Sequence, residues 1–247
     1  MLDLSYNNLS GTVPPCLLED TELEVLPLPQ NISQACRLKT INLSENVING
    51  SLPNLLMYCN SLEILDLGNN RIVNRFPYWL GNLENLRVLV LRSNMFYGKI
   101  SDVEITTKGN DSFFPMLKVL DLSSNHFSGT LPKTIFVNLK AMMGATNTSS
   151  LYYFQMNISY IPYVASVTYK GMSFDLIYSL GMFSYIDMSN NEYWGRIPEE
   201  IGQLKSLDVL NLSHNTLIGP ILQEFANLQQ FQLLDLSSNQ ISGHIPQ

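Results

Sequence analysis

One pattern of apolar and polar positions, LxxLxLxxN, recurs along the chain, with x standing for any residue. The hexapeptide LDLSSN occurs at residues 120–125 and again at 234–239, and near-copies of it occupy the other units. A short motif that returns at a nearly constant interval indicates a repeat architecture, in which a unit buries its apolar face only by stacking on its neighbours. The pattern therefore predicts a stack of similar units, and the repeated hexapeptide needs no functional explanation.

Each unit predicts a short strand followed by a turn. In the alternating LxL segment two leucines point into a core and the residue between them points outward, and stacked strands pair at about 4.8 Å into one parallel sheet. The ninth position is Asn in all nine units, and we expect these amides to satisfy turn groups that stacking buries. The first unit contains Leu2, and the later units begin at Leu23, Leu38, Leu62, Leu86, Leu117, Phe183, Leu207 and Phe231.

The interval between units is irregular at three places. The second unit is clipped to 15 residues, the interval from Leu86 to Leu117 is 31 residues, and that from Leu117 to Phe183 is 66. The middle irregularity is a shorter insertion near residues 101–116, which we predict to be a solvated loop.

The long interval defines the predicted domain organisation. Residues 141–182 lack the repeat frame, so we predict leucine-rich repeats over 1–140, an island insertion over 141–182, and further repeats over 183–247. The first and last units are incomplete and the second is shortened. Alternating apolar residues around positions 167–176 predict a β-hairpin in the island. Its many tyrosines serve either to pack the island on the repeats or to contact a ligand, because aromatic residues suit both roles.

Composition and charge narrow the set of partners. The chain is 45% hydrophobic and 14% charged, which favours an ordered protein. Its net charge of -7 argues against a broad grip on nucleic acid or anionic lipid. The sequence contains no apolar run of 18 residues, no secretory signal pattern and no phosphate-binding glycine motif. We therefore predict no nucleic-acid partner, no cofactor, and contact with a membrane only through a segment that is absent from this chain.

An extended form of the motif, LxGxIP, carries a resemblance to a known family. It reads GTLP from Gly129, GRIP from Gly195 and GHIP from Gly243, and in this form it resembles the plant-specific leucine-rich repeat. The resemblance implies an α/β repeat fold, a right-handed solenoid with a parallel sheet on its concave face. It also implies a second short strand that is contributed by the LxGxIP segment of each unit.

The order of the segments narrows the resemblance. LRVLVLRSNMFYG from Leu86, the irregular segment with SVTYKG from Ser166, and IDMSNNEYWGRIPEEIG from Ile186 are similar to the membrane-proximal half of plant leucine-rich-repeat receptor-like proteins. The irregular segment matches their island domain. This resemblance implies the extracellular face of the plasma membrane. It also implies a receptor ectodomain that binds a peptide or protein ligand and associates with receptor-like kinase co-receptors in plant defence or development signalling.

Two further expectations concern the whole chain. Polar capping units are missing from both ends of the pattern, so we expect a fragment of such an ectodomain. The alternative function, from another class, is a secreted leucine-rich-repeat inhibitor of a microbial wall-degrading enzyme. The island discriminates between the two, because inhibitors of that kind resemble an uninterrupted repeat array.

Outward positions of the repeats and the island supply the candidate binding residues. A curved sheet with varied side chains at fixed pitch is a broad docking surface. The residues predicted to contact a ligand or partner are Arg87, Arg92, Tyr160, Tyr163, Tyr169, Lys170, Tyr185, Asp208 and His214.

Catalytic and metal chemistry find no support in the sequence, and we predict that the protein is not an enzyme. Most units carry Asp or Asn between the two core leucines, but these residues lie along a line and do not converge, so we expect solvated side chains and no metal site. His214 is expected near Ser213 and Asp235 on an open sheet, where neither an oxyanion hole nor a partner that fixes the imidazole is expected.

Sequons and cysteines bear on the compartment. Eight Asn-x-Ser/Thr sequons favour a secreted glycoprotein, with candidate sites at Asn8, Asn31, Asn42, Asn49, Asn110, Asn147, Asn157 and Asn211. The three cysteines are an odd number, and we predict a disulfide between Cys16 and Cys36. Members of the resembled family often have Cys where this chain has Tyr78, so Cys59 is expected to stay unpaired.

Overall fold

The computed structural model describes residues 1–13, 36–100, 113–144, 166–169, 172–175 and 183–246. Strands are numbered in chain order. The first core segment of each described unit forms a strand of two or three residues, and these strands align as one eight-stranded parallel sheet. They are β1 (Leu2–Asp3), β3 (Thr40–Asn42), β5 (Ile64–Asp66), β7 (Val88–Val90), β9 (Val119–Asp121), β13 (Tyr185–Asp187), β15 (Val209–Asn211) and β17 (Leu233–Asp235). The sheet predicted from the LxL pattern is confirmed.

A second strand follows the Asn of each described unit. The first three of these strands form one parallel sheet, and the remaining five form another. They are β2 (Ser10–Gly11), β4 (Val47–Gly50), β6 (Arg71–Ile72), β8 (Tyr97–Lys99), β10 (His126–Gly129), β14 (Glu192–Arg196), β16 (Thr216–Gly219) and β18 (Gln240–Ile241). The second strand that the LxGxIP resemblance implies is therefore present. Glycine follows at the thirteenth position with positive φ, as at Gly129 (φ +90°), where a Cβ would lie 2.8 Å from Lys99 Cγ.

Short helices close the far side of the stack. Four are 3₁₀ helices, at Asn54–Tyr58, Tyr78–Asn82, Glu199–Gln203 and Gln223–Asn227, and two are single α-helical turns, at Lys133–Phe136 and Lys140–Met143. Four of the six begin directly after a proline. The fixed φ of proline suits the start of a helix, and its missing N–H is not needed there.

The core is a continuous apolar spine between the first sheet and the helices. Leu65, Leu89, Leu120 and Leu210 are each 0% exposed, and each comes from the same position of a different unit. Their inward orientation, which the LxL pattern predicts, is confirmed. Because every unit contributes its leucines to the same spine, stacking removes from water an apolar face that no single unit can cover.

A ladder of asparagines joins each unit to the one before it. Asn94 Nδ2 donates to the carbonyl of Leu67 in the preceding unit at 2.9 Å, and Asn94 Oδ1 accepts from the N–H of Ile72 at 3.0 Å. The same two bonds recur at 2.9–3.0 Å for Asn46, Asn70, Asn125, Asn191, Asn215 and Asn239. The predicted role of the asparagines is confirmed, and each amide also bonds across the gap between neighbouring units.

The clipped second unit adds no strand to the first sheet. Strand β1 pairs directly with β3, with Leu2 opposite Ile41, and Asn46 bonds to the carbonyl of Leu4. The prediction that the unit beginning at Leu23 stacks between them is therefore wrong. Pro27 occupies the strand position of that unit, and proline cannot donate to a neighbouring strand. Residues 14–35 otherwise lie outside the described part of the chain.

The disulfide joins Cys36 to Cys59, with their Cα atoms 4.8 Å apart. The predicted pairing of Cys16 with Cys36 and the unpaired Cys59 are therefore both wrong. The two bonded cysteines are 23 residues apart, close to one repeat interval, so stacking places them on adjacent turns of the solenoid. Their Cα separation equals the usual spacing of paired strands, which is about 4.8 Å.

The two insertions are described in part. Phe113 and Phe114, at the end of the shorter insertion, are 5% and 0% exposed, so this end belongs to the core and is not the solvated loop predicted; residues 101–112 lie outside the described part. In the island, β11 (Ser166–Tyr169) and β12 (Met172–Asp175) pair antiparallel, which confirms the predicted hairpin strands. The island boundaries stay predictions.

Candidate functional site

Four rows of side chains run across the concave face, because the strands of the first sheet pair in register. The residues just before the strands form a charged leading edge, which contains Lys39, Glu63, Arg87, Lys118, Ser184, Asp208 and Gln232. The first strand residues are mostly apolar, the third are mostly Asp or Asn, and the fourth row, two residues later, is mostly Ser. Since neighbouring strands lie about 4.8 Å apart, residues of one row on adjacent strands touch.

The apolar row packs as a second hydrophobic cluster on the concave side. Its buried members are Ile64, Val88, Val90, Val119, Tyr185 and Val209, with Phe183 and Leu233 packed against them. Val88 and Val119 are 0% exposed and Tyr185 is 1% exposed. The middle of the concave face is therefore buried in the folded chain, whereas Asp3 at one end is exposed.

The Asp and Asn row closes the turn of each unit. In seven units the side-chain Oδ1 accepts the backbone N–H two residues later at 2.8–3.1 Å, as Asp187 does from Ser189. Such a local bond is the usual reason for Asp or Asn at a turn. Asp66, Asp121 and Asp187 are 4%, 2% and 3% exposed, so the prediction of solvated carboxylates is wrong for these three.

Two of these carboxylates lie side by side in the middle of the sheet. Asp121 pairs in register with Asp187 on the next strand, and Arg92 Nη1 lies 3.8 Å from Asp121 Oδ2. The Tyr185 hydroxyl donates to Asp187 Oδ2 at 2.7 Å, and Asn211 Nδ2 donates to the same oxygen at 3.0 Å. Burial raises the pKa of Tyr185, and the charges of Asp121 and Asp187 raise it further, so the hydroxyl keeps its proton.

The carboxylate pair should make stability depend on pH. Burial, and then the charge of Asp187, raise the pKa of Asp121 to about 7. The unfolded chain loses this proton near pH 4, so the folded state becomes less favoured as the pH rises from about 4 to about 7. We expect the melting temperature to fall between about pH 5 and about pH 8, and Asp121→Asn to remove part of that fall. The amide should fit because Asn42 and Asn211 occupy the same position of other units.

Thermal unfolding at a series of pH values, followed by circular dichroism, measures this effect. Asp235→Asn, at the same position of the last unit, is the matched control and should leave the pH dependence as in the parent chain. Equal pH dependence of the parent and of Asp121→Asn would contradict the prediction.

The leading edge holds alternating charges at its start. Lys39 Nζ lies 3.0 Å from Glu63 Oε1, and Arg87 Nε lies 3.8 Å from Glu63 Oε2. Further along, Asp208 Oδ2 accepts the N–H of Ser184 at 2.7 Å and Asp208 Oδ1 accepts Gln232 Nε2 at 3.1 Å. Burial raises the pKa of Asp208, and these two hydrogen bonds oppose that rise. Lys118 lies between the two groups, on the strand after Arg87.

The predicted binding residues fall into three groups. Arg87 and Arg92 lie half-buried on the concave face, and Tyr185 and Asp208 are buried there with internal hydrogen bonds. His214 is exposed at a turn, with φ +52°, away from the buried middle. The remaining residues lie in the island: Tyr169 belongs to β11, and Tyr160, Tyr163 and Lys170 lie outside the described residues. Contact of any of these residues with a ligand stays a prediction.

The residues weighed for catalysis are engaged elsewhere. The Ser213 hydroxyl donates to Asn211 Oδ1 at 2.7 Å, and the carboxylate of Asp235 accepts the N–H of Ser237 at 3.0 Å. The geometry thus directs both groups into the turns of their own units. His214 is held in the left-handed backbone region that one residue of each described unit adopts.

Exposed apolar side chains on the second row of strands form a surface that the sequence reading missed. Val73, Tyr97, Trp194 and Ile218 are 46%, 44%, 51% and 46% exposed, and they occupy one position, just before or level with the repeat glycine. We call these four residues the lateral strip. Exposed cations flank it, and the guanidinium carbon of Arg75 lies 5.9 Å from the ring centroid of Tyr97. The signal in the sequence is an apolar residue at an outward strand position.

The sequons separate by the state of their side chains. Asn8 and Asn49 are exposed at the first two strands of the second row, so both are open to a glycan. Asn42 is 6% exposed, and Asn211 Nδ2 already donates to Asp187, so glycosylation at these two positions conflicts with the folded geometry. Asn31, Asn110, Asn147 and Asn157 lie outside the described residues, and their glycosylation stays a prediction.

The Leucine Rich Repeat family matches residues 1–19, 37–59, 61–83, 116–138, 206–228 and 230–247. Receptor-like protein 18 of Arabidopsis thaliana is 38% identical over 213 residues, which cover 82% of this chain and 24% of the relative. Receptor-like protein 35 of the same plant is 38% identical over 217 residues, covering 83% and 22%. The chain belongs to the plant leucine-rich-repeat receptor-like proteins. It spans about a quarter of the length of these relatives.

Solved structures agree with this assignment. The Arabidopsis receptor kinase HAESA, in complex with the peptide hormone IDA and the co-receptor SERK1, superposes with a TM-score of 0.67 at 26% identity. The match covers 99% of this chain and 30% of that one. The ectodomain of GASSHO1/SCHENGEN3 from Arabidopsis thaliana, in complex with CASPARIAN STRIP INTEGRITY FACTOR 2, gives 0.66 at 30% identity, covering 99% and 25%. Among the described residues of this receptor-like protein, none of the helices has the length and apolar character needed to cross a bilayer.

Proposed function

We propose that this chain is the part of a cell-surface receptor ectodomain that binds an extracellular peptide or protein and joins a receptor-like kinase co-receptor. The proposal places the chain on the outer face of the plasma membrane. The observation that carries it is the identity of 38% over 82% of the chain with receptor-like proteins, joined to a solenoid that presents a concave face and an exposed lateral strip. The similar HAESA ectodomain binds a peptide hormone and SERK1.

The lateral strip fits the partner better than the middle of the concave face does. Trp194 and Ile218 lie on neighbouring strands, β14 and β16, and both are about half exposed. Exposed Trp next to exposed aliphatic side chains is costly in water and typical of the centre of a protein interface. The exposed sequons Asn8 and Asn49 lie on β2 and β4 or beside them, toward the other end, so glycans there leave the strip uncovered.

Co-precipitation with a co-receptor tests the proposal. The full chain, displayed on plant cells through a fused membrane anchor, would be captured with tagged SERK1 ectodomain in the parent form and as Trp194→Ala. Truncating a central interface Trp typically costs more than 2 kcal/mol, so we expect recovery to fall by about tenfold or more. Tyr6→Ala removes another exposed aromatic, 74% exposed at the far end of the stack, and should leave recovery unchanged.

Equal recovery of the parent and of Trp194→Ala would contradict a partner surface at the strip. No recovery of SERK1 with either, in the presence of extracellular fluid from the same plant, would contradict an association with this co-receptor.

A further inference from the structure

Lys118 carries a buried ammonium group that has no hydrogen-bond partner. The residue is 7% exposed, and Nζ makes no hydrogen bond in the part of the chain that the structure describes. Its nearest strand neighbour along the leading edge, Ser184, is 0% exposed, and the Ser184 hydroxyl oxygen also lacks a partner there. Buried polar groups are nearly always satisfied, and a buried charge without a partner costs far more than a neutral one. Two such groups on adjacent strands need an explanation.

The backbone holds these groups side by side. The N–H of Lys118 donates to the Arg87 carbonyl at 2.8 Å, and the N–H of Tyr185 donates to the Lys118 carbonyl at 2.8 Å. Residues 87, 118 and 184 therefore occupy the same position on β7, β9 and β13, three consecutive strands about 4.8 Å apart. Their side chains form a short row of hydrogen-bond donors that contains two cations.

The acidic residues nearby are already occupied. Glu63 pairs with Lys39 at 3.0 Å and with Arg87 at 3.8 Å. Asp208 accepts the N–H of Ser184 with one oxygen and Gln232 Nε2 with the other. Burial lowers the pKa of Lys118, the charge of Asp208 opposes this, and the charge of Arg87 lowers it further. The long-range attraction to Asp208 thus leaves the three N–H donors of the ammonium group without an acceptor.

We propose that Lys118 and Ser184, beside Arg87, form a receiving site for one oxyanion group, a carboxylate or sulfate, that is presented by the extracellular ligand. An ammonium and a hydroxyl can both donate, and a carboxylate or sulfate only accepts, so the two sets are complementary. The small exposed fraction of Lys118 admits a group of this size and not a bulky one. This inference rests on the proposed function for the source of the anion, but its test needs neither ligand nor co-receptor.

Binding of small probes to the full chain tests the site. Sodium acetate and tetraglycine, each at constant ionic strength made up with chloride, would be titrated by calorimetry. Tetraglycine offers a peptide carboxylate, and its C-terminal amide lacks it. Acetate and tetraglycine are expected to bind and the amide is not. Because a bound anion favours the charged lysine, binding should be accompanied by proton uptake and should weaken as the pH rises.

Variants assign the binding to these residues. Lys118→Gln should weaken acetate and tetraglycine binding by about tenfold or more, since a hydrogen bond to a charged group contributes about 1.5–3 kcal/mol. Ser184→Ala, which keeps the charge, should weaken it by about threefold. Lys99→Gln removes an exposed cation of the second strand row and serves as the control with unchanged binding. Circular dichroism of each variant checks that it is folded.

Three outcomes would overturn the proposal. One is no binding of either probe to the parent chain, and another is equal binding by the parent and Lys118→Gln when both are folded. Binding of acetate without tetraglycine would show a free-ion site and would overturn the ligand-borne anion. Loss of SERK1 capture with intact anion binding would instead contradict the proposed function alone.

Discussion

Asn94→Ala should lower the free energy of unfolding by about 3 kcal/mol, because it strands buried backbone groups of two units. Asn94 is 7% exposed, and its amide donates to the carbonyls of Leu67, Leu91 and Arg92 and accepts the N–H of Ile72. Without the amide, the carbonyl of Leu67 and the N–H of Ile72 lose a partner in a place that water does not reach. The melting temperature should fall by roughly 6–12 °C for a chain of this size.

Denaturant and thermal unfolding, both followed by circular dichroism, measure this loss. Asn60→Ala is the matched control, since Asn60 is exposed and its side chain makes none of the hydrogen bonds found among the described residues. We expect the control to change stability by less than about 0.5 kcal/mol. A similar loss in the two variants would show that the asparagine ladder contributes little.

Removing the Cys36–Cys59 disulfide should cost about 3 kcal/mol, because the bond closes a loop of 23 residues in the unfolded chain. The double variant Cys36→Ala/Cys59→Ala would be compared with the parent in the presence and absence of a reductant. We expect the reductant to destabilise the parent and to leave the double variant unchanged. Peptide mapping by mass spectrometry should find residues 36 and 59 in one cross-linked pair.

Cys16→Ala is the control for this experiment. It should keep both the cross-linked peptide pair and the sensitivity of the parent to reductant. Loss of the cross-link in Cys16→Ala would support the pairing of Cys16 with Cys36 that the sequence suggested, and would contradict the structure.

The repeat pattern predicted the fold well because its information is local and periodic. Leu120 and Leu122 face the core, Asn125 bridges units, and the alternation near Tyr169 marks a hairpin, all of which one unit or one short segment encodes. The disulfide was missed because proximity in a solenoid follows the repeat interval and not the shortest separation. Cys36 and Cys59 differ by nearly one interval, a signal that was present in the sequence.

The candidate site was harder to predict because burial on the concave face depends on the whole assembly. The alternation of the strand places Asp121 and Tyr185 outward, and it was natural to expect water around them. The structure buries both and joins them through Asp187. The row of donors at Arg87, Lys118 and Ser184 appears only when the strand order is known, since residues 118 and 184 are separated in sequence by the whole island.

The island interrupts the chain but leaves the stack uninterrupted. Strands β9 and β13 flank it and pair in register like any other neighbours, and Asn191 bonds back to the Leu122 carbonyl at 3.0 Å. Both ends of the insertion therefore leave the solenoid from adjacent units, and the entropy of closing such a loop grows only slowly with its length. Related genes can exchange, lengthen or reshape this segment while the scaffold keeps its stability, so new recognition properties can evolve without a new fold.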